Sequence, residues 1–75
     1  MKIQAKSFFS VLRGGRPVVK SLDLPEGATA GDALKEMGVG DDVELIILIN
    51  ERPSNENAPL TEGDVFMIMP PVSAA

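Results

Sequence analysis

Residues 58–72 read APLTEGDVFMIMPPV, and the fold turns on how this stretch is taken. Glu62-Gly63-Asp64 is a tight-turn signal, because glycine reaches backbone angles that other residues avoid. Val65 to Met69 then reads as a strand, and Pro70, which has no N–H to give to a ladder, ends it. Side chains alternate across a strand. With Phe66 and Ile68 turned toward a helix, Val65, Met67 and Met69 face the other way.

Upstream of this stretch, residues 50–64 are mostly polar, carry two prolines and leave room for one short edge strand. Before them, Leu45-Ile46-Ile47-Leu48-Ile49 is an unbroken aliphatic run, the pattern of a strand covered at least in part on both faces. Residues 29–40, TAGDALKEMGVG, read as a helix. Thr29 is the N-cap, and Asp32 three residues on can reach back to the cap while suiting the helix dipole. Ala30, Ala33, Leu34 and Met37 form one apolar stripe, and Gly38 fits the C-terminal stop. A helix this short does not hold alone in water, so it must pack on the sheet.

Residues 2–12, KIQAKSFFSVL, alternate, with Ile3, Ala5, Phe9 and Val11 on one face and Lys2, Gln4 and Lys6 on the other. The adjacent Phe8 and Phe9 put a ring on each face, where a bulge can form. RGGRP at 13–17 is a turn of a few residues, and VVKSLDL at 18–24 completes a hairpin that Pro25-Glu26-Gly27 closes. The order β-β-α-β-(β)-β predicts an α+β fold, a mixed sheet of four to five strands with one main helix packed on one face. Residues 1–75 read as a single domain in which 70–75 form an extended C-terminal tail.

Composition narrows the function. The 75 residues contain no cysteine, so no thiol can act as nucleophile or carry sulfur, and no histidine, the usual proton shuttle and metal ligand. No resident metal or bound cofactor is expected. The net charge of −4 and the scattered basic residues speak against nucleic acid and for a protein partner. Lys2, Lys6 and Arg13 interrupt the first apolar stretch, and no run approaches a membrane span, so the expected location is the cytoplasm.

No Ser-His-Asp set, Cys-His pair or phosphate-cradling loop is present in the sequence, so the chain is not expected to be an enzyme. Asp41-Asp42-Val43-Glu44 reads as a solvated loop, with weak divalent binding as the alternative. RGGRP reads as an ordinary loop, with an anion site between Arg13 and Arg16 as the alternative. Two features ask for more. Met67 and Met69, with Phe8 as a candidate third member, lie on a face that one short helix cannot cover, which predicts an apolar partner interface. The alternatives are a loop over that face or a register shifted by one residue. The second feature is the tail. Pro70 and Pro71 stiffen its root, and Val72, Ser73, Ala74 and Ala75 are small and uncharged. Extended, 70–75 reach about 17 Å, enough to enter a narrow channel on a partner. A frayed terminus is the alternative.

LPEGATAGDALKEMGV, NERP, APLTEGDVFMIMPPV and the early FFSVLR resemble the MoaD/ThiS family of ubiquitin-like sulfur carriers over nearly the whole chain. Pro59-Leu60-x-x-Gly63-Asp64, an apolar strand and Pro-Pro-Val are the most specific part, and the phrase LPEGAT looks closest to the MoaD type. The resemblance implies a ubiquitin-like β-grasp with the first and last strands central and parallel. It also implies that the terminal carboxylate, here on Ala75, is adenylated by a ubiquitin-activating-like adenylyltransferase using ATP and then thiocarboxylated. The tail, Pro70 to Ala75, would insert into the large subunit of molybdopterin synthase, and Phe8, Met67 and Met69 would meet the partners.

Three positions depart from the family. Glu51 stands where its turn has glycine, and Ala74-Ala75 stand where it ends in Gly-Gly. Two added methyls in a tight channel, with any positive φ, cost on the order of 2–8 kcal/mol. The alternative to a carrier is therefore a non-conjugating ubiquitin-like binding module.

Overall fold

The computed structural model describes residues 1–9, 14–40 and 43–71. Its elements are β1 (Lys2–Ser7), β2 (Val18–Asp23), α1 (Ala30–Glu36), β3 (Ile46–Ile49), β4 (Arg52–Ser54) and β5 (Val65–Met69). The strands form one sheet in the order β2-β1-β5-β3-β4. β1 and β5 run parallel, with Ala5 beside Phe66 and Ser7 beside Ile68, and the other pairings are antiparallel. This is the ubiquitin-like β-grasp. No helix among the described residues is long and apolar enough to cross a membrane.

The core lies on the helix side. Ile3 and Ala5 of β1, Ile47 of β3, and Phe66 and Ile68 of β5 are buried against Ala30 and Ala33 of the helix, with Leu24, Ala28 and Leu60 closing the margins. Ala5, Ala30 and Ala33 are fully buried. These small residues let the helix sit close to the sheet, and Phe66, Ile3 and Ile68 fill the remaining volume.

The helix is held at both ends. The Thr29 N–H donates to Asp32 Oδ2 at 2.9 Å. Ala30 and Gly31 donate to the Ala58 and Glu56 carbonyls at 2.9 and 2.8 Å, so the 56–58 loop satisfies first-turn N–H groups that the helix cannot. Gly31 is small for that reason: a Cβ there would lie 3.2 Å from the Glu56 carbonyl oxygen. At the other end, Val39 donates to Leu34 and Gly38 to Lys35, with Gly38 at φ 78°, the Schellman arrangement.

The first strand is shorter than the alternation over 2–12 predicts. β1 ends at Ser7, and the connection to β2 runs from Phe8 to Pro17 rather than over RGGRP alone. The Phe8 N–H still reaches the Ile68 carbonyl at 2.9 Å. Pro70 then stops β5, so β1 has no parallel neighbour to follow. Phe9 drops onto the core margin, as its parity predicts, but from a helical turn. Val11 lies outside the described residues. The second strand likewise stops at Asp23, one residue before the buried Leu24.

The β3–β4 hairpin pairs Ile49 with Arg52, leaving Asn50 and Glu51 as a two-residue turn, both at positive φ, 52° and 70°. This is the type I′ requirement, which asparagine tolerates and glutamate does not. Glu51→Gly is therefore expected to stabilise the protein by about 1 kcal/mol. The readout is a higher urea midpoint at unchanged slope, and an unchanged or lower midpoint contradicts the strain.

Candidate functional site

Cross-strand register assembles a second apolar surface on the face away from the helix. Val19, Lys6, Met67, Leu48 and Pro53 stand side by side across all five strands. In the adjoining row Met69 pairs with Ile46, and Phe8 follows Ser7 at the end of β1. Phe8, Leu48, Met67 and Met69 are half-buried and none belongs to the core cluster. Val19 is 56% exposed and Ile46 is 36% exposed. Met67 and Met69 thus share this face, Val19, Ile46 and Leu48 join them unannounced, and Phe8 follows at the end of β1. Within the aliphatic run 45–49 nothing marks which residues face out. Only pairing with Met67 and Met69 identifies Leu48 and Ile46.

β5 delivers the chain from this sheet to Pro70, half-buried, and Pro71, exposed. Val72, Ser73, Ala74 and Ala75, expected to form the working tail, lie outside the described residues, as do Arg13, Asp41 and Asp42. Arg16 is exposed. Among the described residues no group of three or more metal-ligating side chains gathers.

The start of β5 is fixed by a polar knot. The Asn50 amide donates to Asp64 Oδ1 at 2.9 Å, and Asn50 Oδ1 accepts the Val65 N–H at 3.0 Å. Thr61 donates to Asp64 through its N–H at 2.8 Å and its hydroxyl at 3.0 Å. The Gln4 N–H bonds the Asp64 carbonyl, and the Gly63 N–H bonds Lys2. Glycine is needed at 63, where φ is +84°. This explains the Leu-x-x-Gly-Asp spacing: the aspartate ties the turn to the β3–β4 hairpin while the backbone ties it to β1.

Partial burial pushes the Asp64 carboxyl up, but hydrogen bonds from the Asn50 amide, the Thr61 N–H and the Thr61 hydroxyl outweigh it and leave it below its ordinary 3.8. A carboxyl depressed on folding adds stability above its unfolded value, and that stability is lost as pH falls through the folded value. Asp64→Asn is expected to lose about 1 kcal/mol at pH 7 and to narrow its gap to the parent protein below about pH 3.8. Thermal melts across pH read this, and a pH-independent gap contradicts it.

Among curated proteins none matches the chain. The sequence pattern of the ThiS family matches residues 8–73. The chain belongs to the ThiS family. Two crystal structures of small archaeal modifier protein 1 from Haloferax volcanii are 27% and 29% identical to it. They cover 100% and 95% of this chain and 100% and 98% of theirs, with TM-scores of 0.73 and 0.70. A candidate molybdopterin converting factor subunit 1 from Pyrococcus furiosus is 25% identical over 96% of this chain and 99% of its own, with a TM-score of 0.73. A complex of subunits 1 and 2 of molybdopterin-converting factor from Helicobacter pylori contains a chain 18% identical, covered fully on both sides at a TM-score of 0.60, and this likeness shows the fold alone. The ThiS-family chain is thus of the ubiquitin-like sulfur-carrier kind. The family match ends just before Ala74 and Ala75.

Proposed function

We propose that this ThiS-family chain is a cytoplasmic sulfur carrier for molybdopterin biosynthesis, acting as co-substrate rather than catalyst. The family match over residues 8–73 carries the reading. It reaches past Pro70-Pro71 into the tail. The likeness to molybdopterin converting factor subunit 1 supports the pathway.

In this reading the apolar face around Phe8, Met67 and Met69 docks on an adenylyltransferase that holds ATP. The terminal carboxylate oxygen attacks the α-phosphorus, and pyrophosphate leaves. A sulfide-level sulfur nucleophile then attacks the acyl carbon, AMP leaves, and the thiocarboxylate forms. The large subunit of molybdopterin synthase receives the loaded tail, Pro70 to Ala75. The chain needs no thiol of its own, because sulfur rides on the terminal carbonyl carbon.

Likeness to a small archaeal modifier supports a second reading that shares the first step. There a lysine amine of a target protein, not sulfur, displaces AMP. Pyrophosphate release in the presence of the cognate adenylyltransferase tests the common step. Release that depends on the chain supports activation. No release, with docking intact, contradicts both readings and leaves a non-conjugating binding module.

A further inference from the structure

A groove of about 910 Å³ opens on the helix side of the sheet, between α1, the segment leading into β3, and the 54–57 loop. Leu34, Val39 and Leu45 give it an apolar floor, each half-buried and packed on the core. Two of its sides are tied by hydrogen bonds. The Schellman bonds fix Leu34 against Val39, and the Gly31-to-Glu56 bond, with Asn55 accepting from Asn57 and Ala58, fixes the opposite loop.

The rim is acidic. Among the described residues that line it, Asp32, Glu44 and Glu56 are acidic and Lys35 is the one cation. Asp32 is engaged in capping Thr29, whereas neither Glu44 nor Glu56 has a side-chain partner among the described residues. The opposite face of the sheet carries Lys2 and Lys6 on β1. Asp23 stands beside Lys2 on that face, so it is mixed in charge, and it carries the apolar Met67 row where this side has a groove. An acidic rim repels nucleic acid and anionic membrane alike.

We propose that this groove docks an extended, lysine- or arginine-bearing segment of a protein partner. Its apolar side chains lie over Leu34, Val39 and Leu45, and its cations meet Glu44 and Glu56. Pro71 lines the same groove, so the bound segment lies beside the root of the tail while the Met67 face stays open. The chain can then hold one partner on each side, whether or not its terminus is loaded with sulfur.

The test uses the full chain and a capped peptide of alternating lysine and leucine, with a glutamate-for-lysine peptide as control, followed by methyl and amide NMR. The expected result is movement of the Leu34, Val39 and Leu45 methyls with the lysine peptide only. Affinity should fall by about threefold to tenfold in the Glu44→Gln, Glu56→Gln double variant, with similar loss at raised salt. Absent shifts, shifts centred on Met67 and Met69, or unchanged affinity in the double variant each overturn the proposal. So does movement of the groove signals on deleting residues 72–75 without peptide, which makes the chain's own tail the occupant.

Discussion

Met67→Glu is expected to weaken activation of the chain at least about a hundredfold at limiting concentration while leaving it folded. Met67 stands at the centre of the cross-strand row, between Lys6 and Leu48, and outside the core cluster. Removing its thioether therefore leaves no cavity beneath the helix. A carboxylate there must be desolvated whenever an apolar partner surface closes on the face, and a hundredfold loss is only about 2.7 kcal/mol, less than an unpaired buried charge typically costs. Lys6 can offset part of this, so Leu48→Glu, one strand farther from the lysine, serves as the companion. Pyrophosphate release against carrier concentration reads the effect, with a thermal melt as control. A folded variant with undiminished activation places the docking surface elsewhere.

Phe66→Ala acts on the other side of the same strand and is expected to cost about 3–5 kcal/mol. Phe66 is fully buried, and Ala5, Ala30 and Ala33 share its core. Alanines have no rotamers with which to fill the space, so the cavity persists. A chain of this length holds on the order of 5–10 kcal/mol in total, which puts the variant near the unfolding threshold. Urea titration measures the loss, and adding Glu51→Gly should restore about 1 kcal/mol of it, because the backbone strain at 51 does not depend on the Phe66 ring. A loss below about 1 kcal/mol would contradict the packing described.

These effects differ in kind because adjacent residues of one strand face opposite ways, and that division was legible in the sequence. The turn at Gly63 and the stop at Pro70 bracket Val65 to Met69, which favours this parity over a register shifted by one residue. Thr29, Asp32 and Gly38 mark the helix ends equally well, since each acts through its near neighbours. What could not be read depends on residues far apart in the chain. The end of β1 at Ser7 follows from where β5 stops. The cap on Ala30 and Gly31 comes from a loop more than twenty residues downstream. Ile46 and Leu48 acquire a face only through their pairing with Met69 and Met67. Asn50 reads locally as a turn former, yet its side chain also secures Asp64 and Val65. The tail is the opposite case: its composition is plain in the sequence, and the part that matters most lies outside the described residues.

The central claim, that this chain carries sulfur on its terminal carbonyl carbon, is tested most directly by accurate intact mass after incubation with the cognate adenylyltransferase, ATP and a sulfur donor. Exchange of oxygen for sulfur resembles oxidation of one of the four methionines in nominal mass, so a thiocarboxylate-selective alkylation runs beside it. The account predicts an alkylated terminus on the native chain, increased in the Ala74→Gly, Ala75→Gly double variant because the added methyls hinder the channel. A native chain that stays unmodified while the double variant loads would contradict the carrier reading and leave a docking module on an intact fold.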